Sequence, residues 1–385
     1  MSPIVSPAAS PPSLGRQLST SSIHSLASLF ASASSSMTSL RLPDVDESSV
    51  TLEGLRHVPL SLQAKCHKTP AFASDLFEIL RLLHVPHFHS NGISPQDLHI
   101  HKVSGALTNA VFFVSFPSGK QNSTHFTSCP PDITWGLAGW IGACMAELHS
   151  VDINVVEGKN WIIGVEQNVR AWLTPAGKVL ALPSLSEDIR HELDLDKFRH
   201  DWDRYSHWLA KVDDVHSGSK RVFAHNDTQY GNLLRLNHPK EDADDHRQII
   251  VVDFEYAAPN PASFDIANHF HEWTADYHSP DKSHLLDPSK YPTLAERRNF
   301  YLSYLRHASH ITGSDVELES TIAKLDRQVQ VWSPASHAHW MIWAIVQARD
   351  DLENNNTTPE FDYIGYARCR SALFQCELEQ LDVPL

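Results

Sequence analysis

His225-Asn226-Asp227-Thr228-Gln229-Tyr230-Gly231-Asn232 puts a carboxylate at 227 and an amide at 232 into one short polar run. Apolar segments bracket it: Val222 to Ala224 and Leu233 to Leu236 read as short strands, so the polar run is the loop between them. Eighteen residues after Asn232 a second element opens, Ile250-Val251-Val252-Asp253-Phe254-Glu255. An acid that ends a buried strand has a fixed backbone, which suits it to hold a metal at the floor of a cleft. Each piece alone has a plain structural reading, because Asn and Asp are common turn residues. The pair, in this order, matches the parts needed for phosphoryl transfer. One acid orients or deprotonates an attacking hydroxyl, and an amide oxygen and a second acid serve a divalent ion.

Outward from this pair, strands lie early and helices late. Phe72 to His84 carries Phe72, Leu76, Ile79, Leu80, Leu82 and Leu83 at helical spacing. Leu98 to Val103 and Ala110 to Phe116 read as two strands joined by Ser104-Gly105-Ala106-Leu107-Thr108-Asn109, and Ile249 to Val252 as another strand. The stretch 119–131 is polar and without period, and the acidic run Glu241-Asp242-Ala243-Asp244-Asp245 reads as a solvated turn. Helices are predicted at Trp140 to His149 and Phe198 to Leu209, then near 294–308, 316–330, 337–352 and 363–380. The expected fold class is α+β, in two lobes.

The chain has 385 residues, 42% of them hydrophobic and 20% charged, enough to bury a substantial core. No apolar stretch is long enough to span a bilayer, so no transmembrane segment is predicted. Thirty-one basic against 46 acidic side chains leave a net charge of −15, which repels a phosphate backbone and argues against nucleic acid as a partner. A cationic or metal-chelated substrate suits such a surface better. The five cysteines are scattered and never in CxxC spacing, which excludes an evident zinc cage and fits a reducing, cytoplasmic compartment. The 25 histidines show no HExxH or comparable spacing and read as ordinary surface or core residues. Residues 1–45 are rich in Ser, Ala and Pro, with no acid before Asp44, and read as a disordered tail. A transit peptide is the competing reading, weakened because only Arg16 and Arg41 supply positive charge. Arg16-Gln-Leu-Ser19 offers a phosphorylation site.

Three blocks carry a family resemblance. They are His225 to Asn232; Val252-Asp253-Phe254-Glu255-Tyr256 continuing to Phe264-Asp265-Ile266-Ala267-Asn268-His269-Phe270-His271-Glu272-Trp273; and Trp340 to Ala348 followed by Phe361-Asp362-Tyr363-Ile364-Gly365-Tyr366-Ala367. In these blocks the sequence resembles the choline/ethanolamine kinases, relatives of the protein kinases and aminoglycoside phosphotransferases. The likeness is close over roughly residues 135–380 and looser over 50–118. It implies a two-lobed protein-kinase-like fold that transfers the γ-phosphate of ATP, with Mg²⁺, to choline or ethanolamine. Phosphocholine formation would open the CDP-choline route to phosphatidylcholine. By the same resemblance Asp227, Asn232 and Asp253 are catalytic, with Asn232, Asp253 and Gln229 around Mg²⁺. Ser104, Gly105, Thr108, Asn109 and Gln229 would contact ATP. The head group would meet Tyr256, Glu272, Tyr277, Trp340, Trp343, Phe361, Tyr363 and Tyr366, since aromatic faces attract a quaternary cation. From periodicity alone, Trp340 and Trp343 read instead as the buried stripe of a core helix. Asp265, Asn268 and His269 are expected to brace the loops. Family members often dimerise, but no interface for a homodimer is legible.

The resemblance breaks after Val114-Ser115-Phe116. The family continues there into a strand bearing a basic residue for the phosphates, a helix with its acidic partner, further strands and a hinge. Here Gly119-Lys120-Gln121 leads into an unpatterned stretch, and the likeness resumes near Trp140. The expected organisation is a tail over 1–45, a small, incomplete, β-rich nucleotide-binding lobe over 46–139, and a large, mainly helical lobe over 140–385. Thr124 to Gly139 reads as filler from a shortened or mis-spliced product. Impaired catalysis follows as an expectation, and a non-catalytic pseudokinase, an ethanolamine kinase and an aminoglycoside-type phosphotransferase stand as the alternatives.

Overall fold

The computed structural model describes residues 66–83, 93–103, 111–115, 126–128, 137–153, 163–213, 218–236, 244–309 and 315–384, with the single positions 62, 85 and 88. The tail over 1–45, the loop Ser104 to Asn109 and Lys120 lie outside the described residues.

Helix α1 (Pro70–Leu82) starts where Thr69 accepts the Phe72 N–H and Pro70 pre-sets the first turn. It buries Phe72, Leu76 and Phe77. Strands β1 (His99–Val103) and β2 (Val111–Ser115) pair antiparallel, His99 against Ser115 and Val103 against Val111. Within the stretch read as filler lies β3 (Phe126–Ser128), which pairs antiparallel with Leu234 to Leu236. Sequence pattern missed it because three residues cannot display an alternation.

Four further strands frame the two acidic segments: β4 (Arg221–Ala224), β5 (Leu233–Leu236), β6 (Ile249–Val251) and β7 (Ala258–Pro261). β5 pairs antiparallel with β6, and β4 pairs antiparallel with β7. The β5–β6 pair is thus nested inside the β4–β7 pair, and the loops 225–232 and 252–257 run side by side. β7 was not predicted, because Pro259 and Pro261 argue against a strand; both lie in a two-stranded sheet, whose strands are all edges.

The remaining elements are helical: α2 (Ala138–His149), α3 (Gly164–Leu180), α4 (Glu187–Glu192), α5 (Leu195–Val212), α6 (Ala262–Glu272), α7 (Leu294–Ser309), α8 (Asp315–Gln347), α9 (Arg349–Glu353) and α10 (Tyr363–Gln380). The two helices expected near 316–330 and 337–352 are largely one, α8, which runs 33 residues through Pro334. Burial on all sides from Val331 to Ile345 outweighs the hydrogen bond that Pro334 cannot donate. α8 is shared by two apolar cores. Trp332, Ala335, Met341 and Ile345 pack with Trp172, Tyr205 and Phe374 of α3, α5 and α10. Nearer its start, Leu318, Ile322, Leu325 and Val329 pack with Ile141, Phe270 and Phe300 of α2, α6 and α7. Among the described residues no helix is long and apolar enough to cross a membrane.

α2 and α7 touch at Gly142, where a β-carbon would stand 2.5 Å from the Phe300 carbonyl oxygen. Since backbone cannot yield as a flexible side chain can, Gly142→Ala is expected to lose about 1–3 kcal/mol in urea unfolding, despite alanine's better helix propensity.

Candidate active site

Three residues on one face of α6 hold the loop that follows β4. Asp265 is sealed from water and accepts the His225 N–H at 2.9 Å, the Asn226 N–H at 2.8 Å and a hydrogen bond with His149 Nε2 at 2.9 Å. Asn268 donates to the Asn226 carbonyl at 3.0 Å, and His269 Nδ1 to the Thr228 carbonyl at 2.8 Å. These are the braces expected at 265, 268 and 269. Asn226 adopts φ 65°, a left-handed conformation that asparagine tolerates better than most residues. Its side chain is spent locking that geometry, donating to the Tyr256 carbonyl at 2.7 Å and accepting from Asn260 at 2.8 Å.

The two loops are tied directly. The Val252 N–H donates to the Asn232 carbonyl at 3.0 Å. His225 Nε2 bonds the Val252 carbonyl at 3.0 Å while its Nδ1 accepts the Asp227 N–H at 3.2 Å. Both contacts require the same tautomer, with the proton on Nε2. Asp253 does not end the strand as expected; it lies two residues beyond β6, at φ 70°.

Asn232 is fully buried, and its Nδ2 donates to both the Asp227 carbonyl and the Asp227 Oδ2, each at 2.9 Å. That fixes the amide orientation and leaves Oδ1 buried with no hydrogen-bond partner among the described residues. An unsatisfied buried oxygen is costly, and a cation is the ligand its lone pairs suit. Gln229 behaves differently. Its Oε1 accepts the Gly231 N–H at 2.8 Å and so braces the turn.

Asp227 faces a concentration of like charge. Burial first, then the charges of Glu272, Asp253 and Glu255, push its carboxyl well above the usual range, against the opposing Asn232 hydrogen bond. Glu255 is a member of this group that sequence reasoning did not single out.

The residues expected around a head group come together in one continuous wall. Ring centroids lie 5.4 Å apart for Tyr256 and Trp340, 5.2 Å for Trp340 and Trp343, and 5.7 Å for Trp343 and Tyr363. The wall continues through Phe361, 5.1 Å from Tyr363 and 5.6 Å from Tyr366, to Tyr277 at 6.2 Å. Trp340 and Trp343 are also core residues, as their periodicity implied. Their indole N–H groups are spent inside, on Asn268 Oδ1 at 2.6 Å and the Tyr256 hydroxyl at 2.8 Å. Asn268 therefore links the aromatic wall to the loop bearing Asp227.

Glu272 sits buried at the base of this wall. Its Oε1 accepts from Arg370 Nη2 at 2.9 Å and its Oε2 from the Tyr277 hydroxyl at 2.6 Å. Burial, reinforced by the charge of Glu272, pushes the Tyr277 hydroxyl well up, which keeps it a donor. Arg370 was missed, since an arginine on a helix normally reads as surface, yet it is wholly buried and its guanidinium lies 5.0 Å over the Tyr366 ring. Tyr230 was also passed over; its hydroxyl accepts the Tyr277 N–H at 2.9 Å and its ring stacks on Tyr277 at 5.8 Å.

A helical lobe carrying nested strands and two acidic loops is the framework of two-lobed, kinase-like phosphotransferases. Residues 135–375 match the family model for choline/ethanolamine kinase, so the chain belongs to the choline/ethanolamine kinase family. A choline kinase of Schizosaccharomyces pombe is 28% identical over 375 residues, covering 72% of this chain and 82% of that protein. A choline/ethanolamine kinase of Homo sapiens is 30% identical over 254 residues, covering 64% of this chain and 57% of that protein. The first alignment is longer than the part of this chain it covers, so that relative carries residues with no counterpart here. The fold agrees with the crystal structure of choline kinase from Cryptosporidium parvum, at a TM-score of 0.56 and 18% identity, covering 80% of this chain and 95% of the other.

Asp265 has the clearest energetic role. Burial alone would raise its carboxyl, but the His149 hydrogen bond and the charges and backbone N–H around it hold it below its ordinary 3.8. A lowered folded value means its contribution is complete above the unfolded value and is lost as pH falls through the folded one. Asp265→Ala should therefore cost about 3–5 kcal/mol in denaturant unfolding at neutral pH, because it strands buried partners. The gap from wild type should narrow below pH 3.8.

Proposed function

We propose that the chain is a choline kinase, transferring the γ-phosphate of ATP to the choline hydroxyl to give phosphocholine, the first step of the CDP-choline route. The observation that carries this reading is the wall of rings joined through Asn268 to the loop of Asp227 and Asn232. It supports bringing a bulky cation and an attacking hydroxyl to the same acid.

In this reading Asp227 orients the choline hydroxyl and accepts its proton. Its raised affinity for protons favours that role. Asn232 Oδ1 and Asp253 would hold Mg²⁺, which supplies neutralisation of charge on the phosphates. The loop Ser104, Gly105, Thr108 and Asn109 would cover the ATP phosphates from the small lobe. The break in the resemblance after Phe116, where the family carries a basic residue for the phosphates, supports slow turnover, on the order of 10²–10³ below an enzyme that keeps that residue.

The state of Glu272 supports choline over ethanolamine. Each oxygen already accepts one hydrogen bond from within the protein. A primary ammonium brings three N–H donors that need acceptors, whereas a trimethylammonium brings none and gains from ring faces. Head-group selection thus falls to Tyr256, Trp343, Tyr363 and their neighbours.

Two measurements test the proposal. Phosphocholine formation should fall by about 10²–10⁴ in Asp227→Asn, with the far-ultraviolet dichroism unchanged. Asp253→Asn, which keeps a residue able to hold the left-handed backbone, should lose activity comparably. Wild-type rates in either variant would refute the assignment. Calorimetric titration, which needs no turnover, should give tighter binding for choline than for ethanolamine, and Trp343→Ala should weaken choline binding about 3- to 30-fold. Tighter binding of ethanolamine would reassign the substrate.

A further inference from the structure

Among the described residues outside the site, two groups of histidine and carboxylate side chains have donor atoms within 4.8 Å of one another: His271, His337 and Glu377, and Glu147, His246 and His307. The first is already a closed hydrogen-bonded chain. Ser333 donates to Glu377 Oε1 at 2.8 Å and meets His271 Nε2 at 2.7 Å. Arg370, which can only donate, reaches His337 Nδ1 at 3.2 Å. The His337 proton therefore sits on Nε2, the nitrogen that faces Glu377 at 3.6 Å. A protonated nitrogen with a guanidinium beside the ring offers no lone pair to a metal.

The second group keeps a nitrogen and a carboxylate oxygen that no such hydrogen-bonded chain claims, although a guanidinium, that of Arg247, lies beside it too. Glu147 lies on the last turn of α2, His246 in the short 3₁₀ turn Asp245–Gln248 ahead of β6, and His307 on the last turn of α7. The His246 Nε2 atom is buried and has no hydrogen-bond partner among the described residues. It lies 3.6 Å from Glu147 Oε2, too far for a hydrogen bond. Two ligands of a tetrahedral zinc, each bonded at about 2.0–2.1 Å, stand roughly 3.3 Å apart, close to the spacing of these atoms. The other Glu147 oxygen accepts from Arg247 at 2.9 Å, which fixes the carboxylate and leaves Oε2 toward the histidines. The His246 and His307 rings approach to 4.7 Å at 68°, so neither is occupied in stacking on the other. The backbone of His246 is pinned as well, because the buried Cys144 thiol donates to its carbonyl at 2.9 Å.

We propose that Glu147, His246 and His307 bind a zinc ion, with water in the fourth position. Two imidazoles and one carboxylate favour zinc over magnesium or calcium, which prefer oxygen alone. The ligands come from three elements, so the ion would clamp α2 and α7 to the turn that feeds β6. This proposal is independent of the choline reading, since none of its ligands is placed at the phosphoryl or head-group site.

The test uses the full chain after chelator treatment and dialysis, titrated with Zn²⁺ alone in a calorimeter and then heated with and without the ion. One equivalent should bind with an affinity that His307→Ala and Glu147→Gln each weaken at least about tenfold. Saturating Zn²⁺ should raise the wild-type Tm by roughly 5 °C and leave the Tm of the doubly substituted protein unmoved. Mg²⁺ should produce no shift that depends on these residues. His307 and Glu147 lie on part-exposed helix surface, so folding of the variants is not at stake. Absence of a bound equivalent would overturn the proposal. So would zinc binding that both variants retain undiminished, because it would assign the ion to others of the 25 histidines.

Discussion

A carboxylate sealed from water, that of Asp265, is the fixed point from which the rest of the lobe is built. The loop after β4 needs two consecutive backbone N–H groups satisfied while Asn226 holds a left-handed conformation. Buried N–H groups cannot be left unpaired at acceptable cost, and a charged acceptor forms the stronger hydrogen bond. One residue on the first turn of α6 supplies both, and Asn268 and His269 follow at three and four positions on the same face. The geometry of the loop that carries Asp227 and Asn232 is thus set from α6, whose last residue, Glu272, also stands among the charges around Asp227.

The site concentrates negative charge and then spends it unequally. Glu272 is paired with Arg370 and Tyr277, so its field is partly cancelled within the protein. Among the described residues, Asp227 has the Asn232 amide against it and stands among Glu272, Asp253 and Glu255. A region of that kind favours cations at two separate places, one of rings and one of oxygens. A cation at either place would relieve the mutual repulsion of these carboxylates, as opposite charges in a low-dielectric cleft do, while two cations held at once would repel each other.

Much of this could be read from the chain before any coordinates. The loop 225–232 and the segment 250–255 are short-range patterns, in which flanking apolar runs fix the position of the polar residues. α1, α2, α5, α7 and α10 follow from apolar spacing. What stayed hidden depended on long-range packing. β7 carries prolines that propensity counts against a strand, α3 begins at Gly164 and contains Pro175, and α8 passes Pro334. Arg370 meets Glu272 across 98 positions, and nothing near it in sequence distinguishes it from the exposed Arg368 on the same helix. The spacing of His246, Glu147 and His307 likewise has no linear signature, because three separate elements bring them together.

α8 is also a mechanical element. At 33 residues it spans about 50 Å, and its two halves belong to different apolar cores. Neither core can melt without stripping the rod of half its packing, so the halves must lose order together. Amide protons along its buried stretch should then exchange through one shared opening, and the lobe should denature in a single cooperative step.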